Sequence, residues 1–498
     1  MGKEFAIGTR FNDIITKEEI AKWEGENVIL NGATGSGKTY FVLNNLYDYA
    51  REHNKKILYL CNRTELYREV CDIKSNDIAA MLYQTLESKI RKGNIPNKYY
   101  DYIVCDEIHY LLCDVVFNVY VDLTYDWVVN KNNNLTKIFM SGTGTSIFGM
   151  LKKLNIVKEE FEYTILYDYS YANIVLYKGK KKVFDIINKL IENTNDKIIY
   201  FTNKIEDGIN VYEQFKKYST FRCSKNTKDK KAQEINDIDC IKRYNNITTF
   251  DNRLLVTTKC LDNGITLKDR NIKHIICDIF DLDSLQQALG RKRIIDKDDT
   301  CTFYIKNNTS WDIGRYKGGL ETKFRNLKMF IEDNKSFNKM YESDRSFHDE
   351  YIYIENGKRS ANELAYCKYI LDSSTIEHIN KVGYKEVLLS RFGDTLGGIK
   401  DLDKIETYEI KCDLELYLRN NIGKRYYKDE KQELIDMIGL RDSRGREQKS
   451  VKCLSSYLQD NFELYIVSNK DQRKILENGN INPNKGLNYW EIREGILY

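Results

Sequence analysis

The chain has 498 residues, 42% hydrophobic and 31% charged, which is long enough for two or three cores and too apolar for a disordered polymer. Its 78 Lys and Arg nearly cancel its 74 Asp and Glu, so any basic surface for a polyanion must be local. No run approaches the ~18 apolar residues of a membrane span, and the twelve cysteines are scattered without CxxC spacing. They read as reduced thiols in a cytoplasmic setting, not as a disulfide framework or zinc site.

The N-terminal stretch "MGKEFAIGTRF" has no apolar signal core, and Ala6 spoils a myristoylation pattern. The first predicted element is a strand, "VILN" (28–31), then a glycine-rich bend and a helix opened by Lys38 and Thr39. Gly32-Ala33-Thr34-Gly35-Ser36-Gly37-Lys38-Thr39 fits GxxxxGK[ST]. Glycines let backbone N–H groups close around phosphates, and the helix N-terminus adds partial positive charge. Lys38 is expected to reach the outer phosphates and the Thr39 hydroxyl to hold Mg²⁺. Kinases, GTPases and ATPases all use such a loop, so the reaction needs a second signal.

That signal follows along the chain. "KKILYLCN" (55–62), "YDYIVCDE" (100–107) and "TKIFMSGT" (136–143) are short, apolar and without strict alternation, as strands buried on both faces are. They predict a parallel sheet wrapped by helices. Asp106 and Glu107 sit directly after "YIVC", where one carboxylate can hold Mg²⁺ and the other can orient and deprotonate water. Asp106 is assigned to the metal and Glu107 to the water, which favours hydrolysis over transfer to a substrate.

After a mixed connector near 150–175 comes a second series: "KIIYFTN" (197–203), "NRLLVTT" (252–258), "IKHIICD" (272–278) and "CTFYIKN" (301–307). Beyond 310 the texture is polar and helical, as in "ANELAYCKYILD" and "YKEVLLSRF", whose apolar stripes read as core. In the tail, "KDEKQELIDMIGL" and "RDSRGREQKSVKCLSSYLQDN" read as two helices, and "FELYIVSN" and "LNYWEIRE" as two strands. That order resembles a winged helix. Arg441, Arg444, Arg446 and Lys449 then fall at the start of the second helix, where phosphate contacts are natural. Tyr465, Tyr489 and Trp490 offer either stacking surfaces or core.

Asp-Glu-Ile-His (106–109) is where a family resemblance sets in. The chain resembles superfamily-2 helicases and translocases of the DEAD/DEAH-like group, with the motif series in order over roughly residues 25–310. "LYLCNRTEL" (58–66) is similar to motif Ia, "YQTLE" (83–87) to the next nucleic-acid-contacting segment, and "SGT" (141–143) to the Ser-Ala-Thr coupling motif. "IIYFTNK" resembles motif IV, "VTTKCLDNGITLKD" (256–269) motif V and "QQALGRKR" (286–293) motif VI.

The resemblance implies an α/β fold of two tandem RecA-like parallel-sheet domains, 1–160 and 161–310. A helical accessory region (311–410) and a candidate winged-helix nucleic-acid-binding domain (411–498) then follow. It implies ATP and Mg²⁺ between the RecA-like domains, with Gln287 sensing nucleotide and Arg291 and Arg293 aimed at the γ-phosphate. The family's QxxGRxxR puts its second arginine one residue later, where Ile294 stands; Thr266 replaces an aspartate, while Gly264 matches. Arg63, Thr85 and Thr258 take backbone-contacting positions, as Arg444, Arg446 and Lys449 do in the tail. His109, Ser141 and Thr143 take the coupling positions, with a locally bonded core histidine as the alternative for His109.

These signals lead to an ATP-driven DNA helicase or translocase acting in replication, recombination or repair, on single-stranded or tailed duplex DNA. The lack of an upstream adenine-reading glutamine motif, with DEIH in place of DEAD, tilts the reading from RNA to DNA. An RNA-dependent ATPase of the same fold is the alternative. So is an ATP-switched loading or remodelling factor without processive unwinding. The small size and compact accessories suit a phage or mobile-element replication type, with replication or recombination proteins as partners and no membrane.

Overall fold

A computed structural model describes residues 2–495 apart from 34, 63, 74, 95–98, 133, 226, 246, 259–264, 342, 345, 356, 394, 396–397, 443–444 and 477. The chain forms two compact units, residues 1–400 and 401–498.

The first unit contains two seven-stranded sheets. In the first sheet the strands are β1 (Lys3–Phe5), β2 (Asn27–Asn31), β3 (Ile57–Cys61), β4 (Ile78–Leu82), β5 (Tyr102–Cys105), β6 (Thr136–Ser141) and β7 (Glu162–Ile165). Their order is β1-β7-β2-β6-β5-β3-β4, and every pairing is parallel. Every residue of β3, β5 and β6 is buried, which is why these runs show no alternation. The sheet extends past the boundary expected at 160, because β7 fills the place between β1 and β2.

The second sheet is built from β8 (Ala172–Tyr177), β9 (Lys197–Thr202), β10 (Ser219–Arg222), β13 (Leu254–Thr258), β14 (Ile272–Asp278) and β15 (Cys301–Lys306). An antiparallel hairpin, β11 (Ile241–Tyr244) and β12 (Ile247–Phe250), stands outside it. The order is β10-β13-β9-β14-β15-β8, with a short strand beginning at Ile399 on the far edge. The helix Leu282–Gly290 starts from an Asp281 cap after β14 and delivers Arg291 to Arg293 at its end.

The region expected at 311–410 divides between the units. Helices Ser310–Lys323, Arg325–Glu332, Asn334–Tyr341, Glu363–Val382 and Tyr384–Phe392 form a layer of the first unit, while Leu402–Asn420 belongs to the second. A hairpin, Ile352–Glu355 with Lys358–Ala361, interrupts the helices and was not anticipated. Towards the first sheet, Asn362 Nδ2 donates to Val119 O (2.9 Å) and Lys323 Nζ to Val116 O (3.1 Å). Towards the second, Arg391 pairs with Asp283, and Lys368 Nζ lies 3.5 Å from Asp281. One apolar cluster runs through all three parts, from Ile108, Leu112 and Val128 through Leu285 and Leu289 to Leu364, Tyr369 and Phe392.

The second unit runs helix Leu402–Asn420, strand Arg425–Tyr426, helices Lys428–Ile438 and Val451–Phe462, then strands Leu464–Lys470 and Asn488–Glu494. The last strand lies between the other two, antiparallel to both. Two helices followed by two strands stand in the expected order, preceded by a further helix and a short strand. The second of the two predicted helices starts later than expected, because Ser450 caps it by accepting from Cys453 N. Arg441, Arg446 and Lys449 therefore lie in the loop before the helix; Arg444 lies outside the described residues.

Candidate active site

In an all-parallel sheet the loops after consecutive strands gather at one edge. The loop after β2, the carboxylates after β5 and Ser141 at the end of β6 are therefore neighbours. Gly35 and Gly37 adopt φ of +93° and +84°, a region that favours glycine. Lys38 is buried, with Nζ resting on the loop's own carbonyls, Gly32 O and Ala33 O. Among the described residues Ser36 Oγ is buried and meets no hydrogen-bond partner, so the loop offers a hydroxyl as well as its amides. Thr34 lies outside the described residues.

Beneath the loop, Tyr59 is fully buried. Burial first, then the charge of Asp106, push its phenol far up, while Thr39 pulls the other way. Thr39 and Asp106, a hydroxyl and a carboxylate, thus both lie close enough to the Tyr59 hydroxyl to bias it. Asp106 is 4% exposed. Glu107 has φ +49°, a strained position for a non-glycine residue.

From Glu107 a polar chain runs sideways. His109 Nδ1 lies 3.3 Å from Glu107 Oε2 and 2.7 Å from Ser141 Oγ. Ser141 Oγ accepts from Thr143 N at 3.0 Å. Thr143 Oγ1 then accepts from Gln287 Nε2 at 2.9 Å, which crosses from the first sheet domain to the second. Arg293 crosses too: a Cβ added at Gly35 would collide with its guanidinium. Arg291 is buried and lines the same cleft, about 850 Å³, together with Ser36, Glu107, Thr143 and Gln287.

The connector between the two sheet domains also reaches the site, and sequence reasoning missed it. Tyr167 OH donates to Asn31 Oδ1 (2.9 Å) and Gly142 O (2.7 Å), and its ring stacks on Tyr169. Tyr169 OH accepts from Gln286, beside Gln287. Burial, then Tyr169, push the Tyr167 phenol well above its ordinary range, so it stays a neutral donor. The only available signal was the tyrosine cluster in "LYDYSY" (166–171).

Of the residues expected to touch nucleic acid, Thr85 is exposed just after β4, and Thr258 ends β13. Arg63, and Gly264 of the second-domain segment, lie outside the described residues. In the second unit Arg446 is held by Asp442 (3.0 Å) and Lys449 lies 2.9 Å from Glu447. Tyr489 is buried there, while Tyr465 and Trp490 are half-buried.

Two family models match the chain. One, the res subunit of type III restriction enzymes, covers residues 12–73, which include the phosphate loop. The other, the helicase conserved C-terminal domain, covers 182–294 and ends just past Arg293. Together the two models mark these stretches as similar to superfamily-2 helicases.

No curated protein matches the chain. Among solved structures it is similar to a fragment of a putative HsdR subunit of a type I restriction enzyme from Vibrio vulnificus YJ016. That pair shares 14% identity over 58% of this chain and 61% of the other, with a TM-score of 0.40. It is also similar to the DEAD-box helicase Mss116 bound to ssRNA and UDP-BeF, at 14% identity over 78% and 99% of the two chains, with a TM-score of 0.41. The chain thus spans about three-fifths of the first of these. Among the described residues no helix is long and apolar enough to cross a membrane.

Proposed function

We propose that this chain is an ATP-hydrolysing superfamily-2 DNA helicase or translocase that moves along, or unwinds, single-stranded or tailed duplex DNA in replication, recombination or repair. The observation that carries the catalytic part is the Arg293 guanidinium of the second domain seated against Gly35 of the phosphate loop. A cation placed there stabilises charge on a transferring phosphoryl group only while the domains are together, so turnover follows closure.

The loop amides, Ser36 Oγ and Lys38 bind the phosphates of ATP, and the loop carbonyls that hold Lys38 give it up to a phosphate oxygen. Thr39 and Asp106 fit Mg²⁺, because both supply the hard oxygen donors it takes and both lie near the Tyr59 hydroxyl. They would hold the ion where its charge would offset that developing on the phosphates. Glu107 orients and deprotonates the attacking water. Arg291 and Arg293 face the γ-phosphate, and Gln287, Thr143, Ser141 and His109 relay the state of the cleft to Glu107. Gly264, at the edge of the second-domain segment, completes the nucleotide site.

Thr85, Thr258 and Arg63 contact the nucleic-acid backbone, while Arg444, Arg446 and Lys449 contact phosphates from the winged helix. Such contacts are sequence-independent and salt-sensitive. The helix and strand order of the second unit, read as a winged helix, supports DNA over RNA, alongside the DEIH sequence. ATP turnover measured alone, then with single-stranded DNA, duplex DNA and single-stranded RNA at matched low salt, tests the reading. Stimulation by DNA alone is expected. Stimulation by RNA alone overturns the substrate, and indifference to every polymer favours a protein-partnered switch.

A further inference from the structure

Arg291 and Arg293 lie on either side of Lys292, which makes a parallel bridge with Leu267. Leu267 N donates to Arg291 O and Arg293 N to Leu267 O, both at 2.7 Å. Arg291 still has the dihedrals of the helix it ends (φ −71°, ψ −27°), so the bridge starts at Lys292. All three residues border the cleft, and the side chain of Lys292 is fully buried against Asp299.

What Lys292 meets inside is unusual. Its Nζ donates to both oxygens of Asp299, at 2.8 and 3.0 Å, and the Asp299 side chain is fully buried as well. Asp299 also accepts from Ile295 N (3.2 Å) and from Lys273 Nζ (3.2 Å). Lys292 Nζ gives a further bond to Asp269 O (3.2 Å), and the Asp269 carboxylate is fixed by Lys197 Nζ (2.9 Å) and Asn271 N (2.9 Å). Burial works against the Asp299 carboxylate, yet Lys292 holds it below its ordinary range, so the pair stays ionised. A buried ion pair is weak evidence for stability, because apolar residues of similar volume often do as well or better. A geometric demand on the segment accounts for keeping one.

We propose that Lys292 and Asp299 form an internal peg that positions Arg291 and Arg293 at the cleft. The inference rests on the reading of those arginines as the cations that serve the γ-phosphate. Lys292 and Asp299 are positioning residues: they touch no reacting atom, but they fix the rotation of the bridge and the loop to Ile295.

The test uses the full chain with Lys292→Met, Asp299→Asn and the double variant Lys292→Met/Asp299→Leu, which removes both charges and so avoids an uncompensated buried ion. Turnover is expressed per bound non-hydrolysable ATP analogue, so that loss of folded protein cancels. Turnover per site is expected to fall at least ten-fold in the single variants and at least five-fold in the double variant, with analogue affinity within three-fold of the parent. Lys292→Arg/Asp299→Glu, which keeps a charge pair, is expected to recover more than half of what Lys292→Met loses. Turnover per site within two-fold of the parent in the folded double variant overturns the proposal. Arg291→Ala and Arg293→Ala measured alongside separate the two failures. If they keep turnover the arginine reading fails; if they lose it while the double variant does not, only the peg fails.

Discussion

The hydrogen bond from Gln287 Nε2 to Thr143 Oγ1 makes the most direct demand on the site. Thr143 is 9% and Gln287 4% exposed, so either group left alone in the closed cleft pays for its dehydration. Gln287→Leu orphans the Thr143 hydroxyl, at a cost of roughly 1–3 kcal/mol for a buried neutral group. Because the bond exists only while the domains are together, the cost falls on the closed state. At ~1.4 kcal/mol per decade, nucleic-acid-stimulated turnover should drop between about five-fold and a hundred-fold. Thr143→Val, close in shape, should cost less. The double variant replaces both partners by apolar groups, so it should recover part of the loss, with a coupling of about 1 kcal/mol in a double-mutant cycle. Stimulated turnover of the parent, both single variants and the double gives this number. If the losses simply add, within about 0.5 kcal/mol, the bond carries no coupling across the cleft and the relay reading is wrong.

Glu107→Gln should bind ATP with near-parental affinity yet turn over at least 100-fold more slowly; single-turnover hydrolysis at the parental rate would assign the water to another base. Asp114 is a stability prediction: burial pushes its carboxyl up to about 6, well above the ~3.9 of an unfolded chain. The folded state therefore holds the proton more tightly, so this contribution is fully present below pH 4 and is lost as pH rises through 6. Asp114→Asn should accordingly stabilise the protein by about 1–2 kcal/mol at pH 7 and little at pH 4; thermal melts with equal gains at both pH values would refute this. Ending the chain at Lys400 should weaken DNA binding and its salt dependence more than basal ATP turnover, and unchanged binding isotherms would make the second unit a structural cap.

Much of the first unit was legible because buried strands and a phosphate loop are local in sequence. β3, β5 and β6 announce themselves through unbroken apolar runs, and the order of short motifs along the chain indicates what they assemble. The cross-cleft contacts were less legible. Gln287 meets Thr143 across 144 positions, and nothing in "LYDYSY" says that Tyr167 reaches back to Asn31 and Gly142. The helices after 310 showed apolar stripes, but a stripe does not name what it packs against. The Lys292–Asp299 pair was hidden for a simpler reason: two oppositely charged residues in a polar loop read as surface until a fold buries them. β1, three residues long, carries too little pattern to read.

The apolar cluster shared by both sheet domains and the helical layer bears on the energetics of motion. Wide parting of the two domains would bring part of that cluster into contact with water, and newly wetted hydrocarbon raises heat capacity. Nucleotide binding that draws the domains together should then show a negative heat-capacity change in calorimetry, larger than the nucleotide's own burial accounts for. The same seam sets a limit on amplitude: small excursions leave it dry, while large ones grow more costly with every ångström of apolar surface uncovered. A motor with such a seam is suited to short, frequent strokes.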